Sequence, residues 1–217
     1  MHVLLLSMPD ITPVIIHEEA VHLPNLGIAT IAANLDPEHE VRVADLVRKR
    51  RCLKKYLSRL LRDFQPDVIG LSSMTWQFET CVRIAHLLKS LRPQAKTVLG
   101  GYHATLMFAE IAASPDARWF DFMVRGEGEI AMNRLLRALD GQDDVARIPG
   151  LSYKIAGLFR HNPRAENLDL AAIRPPLRDQ RRLTWGYHII AQRGEVLETS
   201  RGCTRGCNFC CMRHMYG

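Results

Sequence analysis

Gln65-Pro66-Asp67-Val68-Ile69-Gly70-Leu71-Ser72-Ser73-Met74-Thr75-Trp76 is the stretch on which the fold turns. Pro66 and Asp67 stop any helix that precedes them. Val68-Ile69-Gly70-Leu71 is then apolar without alternation, the pattern of a strand covered on both faces. Such a strand belongs to a parallel sheet with helices above and below. Working outward, β-rich runs at 3–7, 40–44, 97–99 and 120–124 flank it, and helical patterns at 27–35, 46–64, 78–91, 106–113 and 129–139 fall between and after them. Arg92-Pro93-Gln94 separates helix from strand as Gln65-Pro66-Asp67 does. Five β-α units in succession predict an α/β fold, a Rossmann-like (flavodoxin-like) five-stranded parallel sheet with helices on both faces.

The composition agrees with a folded chain. Of 217 residues 47% are hydrophobic and 24% charged, which excludes disorder and collagen-like repeats. The length fits one domain of about 100–200 residues plus a remainder. No apolar run approaches the roughly 18 residues of a membrane span. Met1-His2-Val3-Leu4-Leu5-Leu6 lacks a basic leader, so a cytoplasmic location is expected. The formal charge of +6 is local: eight basic residues and no acidic one lie between Arg48 and Arg62, and the rest of the chain is slightly acidic. Leu46, Leu53, Leu57, Leu60, Leu61 and Phe64 recur at helical spacing through the same stretch. It reads as an amphipathic helix whose outer face is either solvated or a patch for nucleic acid or another anionic partner.

Beyond residue 141 the pattern changes. Residues 151–155 and 158–160 around Ala156-Gly157 predict a β-hairpin, and 161–182, with Pro163, Pro175 and Pro176, an extended linker. The expected division is 1–142 for the sheet domain, 143–194 for a linker with its hairpin, and 195–217 for a separate beginning.

In open parallel sheets, ligands bind beyond the carboxyl ends of the strands. The polar and glycine-rich residues here collect there: the loop at 8–25, Ser72-Ser73-Met74-Thr75-Trp76, Gly100-Gly101-Tyr102-His103-Ala104-Thr105, and Arg125-Gly126-Glu127-Gly128-Glu129. Glycines let the backbone approach a ligand and hydroxyls bond its polar rim. The candidate contacts are Ser72, Ser73, Met74, Thr75, Gly100, Gly101, His103, Thr105, Gly126 and Glu127. Glu127 and Glu129 also suit the first turn of a helix.

Of six cysteines, Cys203, Cys207, Cys210 and Cys211 fall within nine residues, which in a cytosolic chain points to metal or redox chemistry. Cys52 and Cys81 read as ordinary packing residues. Cys203-Thr204-Arg205-Gly206-Cys207-Asn208-Phe209-Cys210 has the spacing Cys-x3-Cys-x2-Cys. Three thiolates so placed hold three irons of a cubane and leave the fourth open. His214 completes an alternative donor set, Cys203, Cys207, Cys210 and His214, for a tetrahedral Cys3His zinc site.

These loops and cysteines, taken together, resemble the cobalamin-dependent radical S-adenosylmethionine (SAM) enzymes. Residues 67–72, 99–105, 124–129 and Pro149-Gly150-Leu151-Ser152-Tyr153 all look like that family's cobalamin domain. There a Ser-x-Leu-like element lies beside the nucleotide tail, and a Gly-Gly pair lets the tail slide into the sheet. Here 25 residues separate Ser72-Ser73-Met74 from Gly100-Gly101, with Met in place of Leu. The cysteine loop resembles the radical SAM motif, and Glu198-Thr199-Ser200-Arg201-Gly202 fits the end of the first barrel strand.

The resemblance implies cobalamin, a 4Fe-4S cluster on Cys203, Cys207 and Cys210, and SAM as cofactors, with an external electron donor of flavodoxin or ferredoxin type. It also implies a small-molecule or natural-product substrate, with methyl transfer to an unactivated carbon as the leading reaction. The loop at 8–25 offers Asp10, His17 and His22, none in the Asp-x-His-x-x-Gly spacing of cobalt-ligating domains. Cobalamin is therefore expected with its own base displaced and no histidine below the metal. A (βα)6 barrel needs about six units of about 30 residues, and seven residues follow Cys210. The chain reads as the front of such an enzyme, inactive alone. The alternatives are a non-catalytic cobalamin-binding module or truncated relic, an RNA-modifying radical SAM enzyme using residues 48–62, a zinc-site protein, and a flavodoxin-like nucleotide binder.

Overall fold

The computed structural model of the chain describes residues 1–10, 21–178, 187–189 and 192–216. In chain order the strands and helices are β1 (His2–Ser7), β2 (Val21–His22), α1 (Leu26–Asn34), β3 (Glu40–Asp45), α2 (Leu53–Phe64), β4 (Val68–Ser72), α3 (Phe78–Leu91), β5 (Lys96–Gly100), α4 (Tyr102–Leu106), α5 (Phe108–Ala113), β6 (Phe122–Val124), α6 (Gly128–Leu139), β7 (Leu151–Ile155), β8 (Leu158–His161), β9 (His188–Ile189), β10 (Gln192–Arg193) and α7 (Met212–Tyr216). The main sheet runs β3-β1-β4-β5-β6-β7-β8. Its first five strands are parallel, in the flavodoxin-like order expected. The order reverses between β1 and β4, which puts the crevice beyond the ends of those strands.

Alternation along each strand divides the core. Leu4, Leu6, Ile69, Leu71 and Leu99 face α2 and α3. Val3, Leu5, Val68 and Val98 face α1 and α6 with Ile28, Leu135 and Leu136. Both sheet faces are covered, so β1 and β4 are apolar almost throughout.

Two helices differ from the sequence reading. The helix expected at 46–64 begins as a 3-10 helix over Leu46–Cys52 and turns α-helical only at Leu53. Asp45 caps the entry by accepting from Val47 N, and Leu46 is fully buried. Arg48-Lys49-Arg50-Arg51, four adjacent cations, lies within this 3-10 segment. Lys54, Lys55, Arg59 and Arg62 project from the exposed side of α2. The helix expected at 106–113 is α5, and a short helix not expected from the sequence, α4, precedes it and meets it at Met107 (φ −120°).

The predicted hairpin is present, and it continues the sheet: β7 pairs antiparallel with β6 and β8 with β7. Ala156 and Gly157 both have positive φ, 49° and 82°, which marks the tight turn that matches strand twist. Arg125 pins the hairpin through Leu151 O and Asn162 O. A second, small sheet joins β2 to β9 and β10. Tyr187, just before it, is buried with its hydroxyl 3.4 Å from Asp45 Oδ2. No helix among the described residues is long and apolar enough to cross a membrane.

Candidate functional site

On β4 the side chains that face α1 and α6 come from Val68, Gly70 and Ser72, and on β5 from Val98 and Gly100. Large apolar groups thus give way to glycine towards the carboxyl edge. There a cavity of about 190 Å³ opens between the sheet, α1 and the start of α6. Its floor is Leu5, Gly70, Val98 and Gly100, and its roof is Gly27, Ile31, Gly128 and Met132. A Cβ on Gly70 would lie 2.7 Å from Leu5 Cδ2, and one on Gly128 2.9 Å from Ile31 Cδ1. The glycines therefore set both the depth of the slot and the approach of α6 to α1.

Three strand-end loops are stitched together beside this slot. Ser73 N donates to Gly100 O at 3.0 Å, and His103 N to Ser73 O at 3.1 Å. Thr105 Oγ1 donates to Gly101 O at 2.9 Å and accepts from Gly126 N at 2.9 Å. Gly101 has φ +90° and ψ −170°, a region essentially restricted to glycine. Its Cβ would stand 2.8 Å from Ser73 O and 2.9 Å from Ser73 N. The close crossing of these two loops needs the second glycine of the pair, whereas Gly100 meets nothing closer than 3.9 Å.

Ser72, Gly100, Gly101, Gly126 and Glu127 line the slot. Ser73 is buried beneath it, and Thr105 bridges two of its loops. Thr75 lies on the exposed surface, and Met74 occupies the turn before it, where its N–H donates to Gln77 Oε1. His103 is buried on the other side of the loop, its ring 4.1 Å from that of Phe78 and its Nδ1 without a hydrogen-bond partner. Burial holds its pKa below the ordinary histidine value, so His103 is a neutral packing group that stands outside the slot. His17 lies outside the described residues. His22 sits in β2 with its ring 4.8 Å from that of His188.

The cysteine loop comes back to this same edge. Residues 194–207 carry no regular secondary structure, Cys210 N donates to Cys207 O, and α7 follows at once. Helix α7 docks on α4: Tyr102 Oη donates to Met212 Sδ at 3.2 Å, and Met215 Sδ packs 3.4 Å from Thr105 Oγ1. Cys203 and Cys207 are exposed, Cys210 and Cys211 half-buried. Phe209, which precedes Cys210, is 93% exposed. Among the described residues the one convergent set of at least three potential metal ligands is Asp36, Glu38 and His39. Asp36 there already accepts from Arg137 Nε and Asn133 Nδ2, so that turn is occupied by structural bonds.

The sequence reading passes over one group that the structure makes prominent. Arg201 is 10% exposed and bonds three carboxylates: Glu127 at 2.9 Å, Glu129 at 2.7 Å and Glu198 at 2.8 Å. These hydrogen bonds and charges, set against burial that acts the other way, leave its pKa above the ordinary arginine value. Glu127 Oε2 also accepts from Leu168 N at 2.8 Å. Helix N-terminal carboxylates are unremarkable in sequence, and an ion pair between residues 74 positions apart leaves no periodic trace. The nearest signal is an arginine set between Ser200 and Gly202 just before a cysteine motif.

A family model described as the B12 binding domain matches residues 13–136, more than half of the chain. An uncharacterized methyltransferase of Pyrococcus horikoshii is 29% identical over 197 residues, which cover 89% of this chain and 42% of that protein. The anaerobic magnesium-protoporphyrin IX monomethyl ester cyclase of Rubrivivax gelatinosus is 30% identical over 156 residues, 67% of this chain and 27% of the enzyme. TokK of Streptomyces tokunonensis, a cobalamin-dependent radical SAM methyltransferase, is 28% identical over 151 residues, 67% of this chain and 22% of TokK. The chain spans less than half the length of each of these relatives.

Two solved structures share the fold. The cobalamin-dependent SAM radical enzyme OxsB, with aqua-cobalamin and SAM bound, superposes with a TM-score of 0.71 at 22% identity, over 96% of this chain and 28% of OxsB. The radical SAM methyltransferase TsrM of Kitasatospora setae, with cobalamin and a 4Fe-4S cluster bound, gives 0.68 at 21% identity, over 100% of this chain and 42% of TsrM. The strand order, the glycine-floored slot and the family match lead to one assignment: the chain belongs to the B12-binding domain family.

Proposed function

We propose that the chain is the front part of a cobalamin-dependent radical SAM methyltransferase. In this reading it holds the nucleotide tail of cobalamin in the slot under α1 and α6, and a 4Fe-4S cluster on Cys203, Cys207 and Cys210. Residues 1–142 form the cobalamin unit, 143–194 the connection, and 195–217 the start of the radical SAM unit. The observation that carries the reading is the slot itself. A dry cavity of about 150 Å³ admits a benzene ring, so about 190 Å³ floored by Gly70 and Gly100 suits a flat aromatic group entering edge-on.

When bound, cobalamin would supply methyl-transfer chemistry and the iron–sulfur cluster one-electron chemistry towards SAM. The chain's own work is to bind and orient. Gly70, Gly100 and Gly128 keep the slot open, and Gly101 lets two loops cross at its rim. Glu127 and Arg201 close its mouth. Anchoring of α7 through Tyr102 and Thr105 keeps the three thiols on the carboxyl edge of the sheet. His22 is engaged with His188, and His103 is buried away from the slot. Both placements support the reading that neither His22 nor His103 would hold the cobalt. Small-molecule methyl acceptors and a flavodoxin- or ferredoxin-type donor complete the proposal.

Two measurements test it. Hydroxocobalamin mixed with the purified chain should leave a desalting column with the protein, and its cob(II)alamin EPR spectrum should lack protein nitrogen splitting. Anaerobic reconstitution should add iron and sulfide in near-equal amounts. A colourless eluate, or a protein that takes up zinc in place of iron, refutes it.

A further inference from the structure

Arg201 stands where the two halves of the proposed site meet. It lines the slot together with Glu127 and Glu129, and it lies two residues before Cys203. A second hollow, on the far side of the same guanidinium, is lined by Glu127, Leu168, Arg201 and Cys203. The side chain therefore forms the partition between the slot and the cysteine loop. Its three carboxylate partners come from two segments: Glu127 and Glu129 from the turn into α6, and Glu198 from the approach to the cysteines. Through Glu127 the same node also holds the backbone at Leu168.

Arg201 Nη1 serves both of the nearly buried carboxylates, Glu127 and Glu129, and its Nε serves the more exposed Glu198. A movement of Glu127 or Glu129 must be followed by Arg201 or break an ion pair between nearly buried groups. A group that fills the slot presses on the Glu127–Glu129 side of this node, whereas the backbone on the other side leads directly into Cys203. A ligand shifts an equilibrium only through contacts that differ between its states, and Arg201 is placed to feel slot filling and to pass it on.

On the reading of the slot as the cobalamin site, we propose that Arg201 is a positioning residue that couples filling of the slot to placement of the cysteine loop. Coupling of this kind is reciprocal. Cobalamin loading orders the loop at Cys203, and a loop held in place by its metal cluster tightens the grip on cobalamin.

The test uses the reduced chain with cyanocobalamin, whose cobalt does not readily exchange its ligand with free thiols. Retention of cobalamin on desalting is measured first. Iodoacetamide labelling rates are then followed cysteine by cysteine by peptide mass spectrometry, with exposed Cys52 as internal control. In the unaltered chain, cobalamin should slow labelling of Cys203 about five-fold or more, the low end of typical coupling, and leave Cys52 unchanged. Arg201→Met should abolish that dependence, and Arg201→Lys should restore part of it. If Arg201→Met does not fold, Glu129→Gln, which keeps the guanidinium in place, should lower the protection. Full protection retained in the variants would show simple shielding by the corrin and overturn the inference. Cobalamin bound by the unaltered chain with no change at Cys203 overturns it as well. Failure of the unaltered chain to retain cobalamin removes the assignment of the slot, and this inference with it.

Discussion

The two glycines at the end of β5 are adjacent, and the structure gives them opposite tasks that a pair of substitutions separates. Gly100→Val adds three carbons on the face shared with Val98, where a Cβ meets nothing closer than 3.9 Å. At about 30 Å³ for each water-sized group, these carbons take up nearly half of the 190 Å³ slot. Gly101→Ala adds one carbon where the backbone has φ +90° and where Ser73 N and O lie 2.8–2.9 Å away. A non-glycine residue in that region costs about 1–3 kcal/mol. The clash is with backbone, which cannot rotate aside, and the lower entropy of the unfolded alanine chain returns only about 0.4–1 kcal/mol.

With about 2–4 °C per kcal/mol for a chain of this size, the net backbone penalty lowers the melting temperature of Gly101→Ala by up to roughly 10 °C, and the clash with Ser73 lowers it further. Gly100→Val should leave melting nearly unchanged and abolish retention of hydroxocobalamin. Thermal melts and desalting on the same preparations decide the matter. A Gly100→Val chain that binds cobalamin normally, or a Gly101→Ala chain that melts like the parent, refutes the division of labour.

Three further expectations concern the frame around the site. Asp121 is half-buried, which raises its pKa, but its bonds from Lys89 (2.6 Å) and Thr97 outweigh that and hold it below the ordinary aspartate value. Its contribution is therefore complete above the unfolded value of about 3.9 and is lost as pH falls through the lower folded value; Asp121→Asn should flatten urea midpoints measured from pH 5 down to pH 2. His103 has the opposite chemistry, because burial disfavours its charged form. Below about pH 6.5 the unfolded chain binds a proton that the folded one refuses, so stability declines towards pH 5; His103→Leu should remove part of that slope in denaturant titrations. Leu60, 1% exposed on the buried side of α2, should cost about 2–5 kcal/mol as Leu60→Ala, whereas Lys55→Ala on the exposed side of the same helix should change the unfolding free energy from denaturant titration by less than about 0.5 kcal/mol.

Most of the parallel sheet is legible along the chain because burial on both faces leaves a local mark. Val68-Ile69-Gly70-Leu71 is apolar because both neighbours of the strand are apolar, and proline-containing breaks bracket it. The helix expected at 46–64 has the right seam, since Leu57, Leu60, Leu61 and Phe64 are its buried residues. Periodicity alone does not show that the first turns, entered from the Asp45 cap, take a 3-10 form. Residues 151–161 read correctly as a hairpin, yet nothing within them says that their partner is β6. That pairing is a backbone ladder of Phe122, Met123 and Val124 with Tyr153, Ser152 and Leu151, beside which Arg125 reaches across to Leu151 and Asn162.

The candidate site divides in the same way. Runs of glycine, hydroxyl and cysteine are composition, and composition sufficed to point to the carboxyl edge of the sheet and to the Cys203–Cys210 loop. Which glycine opens a space and which permits a crossing depends on backbone angles and on neighbours brought in from other strands. His103, singled out with the other loop residues, is turned into the core against Phe78. Glu127 and Glu129, plain helix-start carboxylates in the linear order, become half of a buried ionic node once Arg201 folds back beside them. Local pattern carries what each segment prefers, because those preferences act over a few residues. The slot and its arginine partition exist only where segments more than 70 positions apart converge, and electrostatics and packing across such distances become readable only in the folded chain.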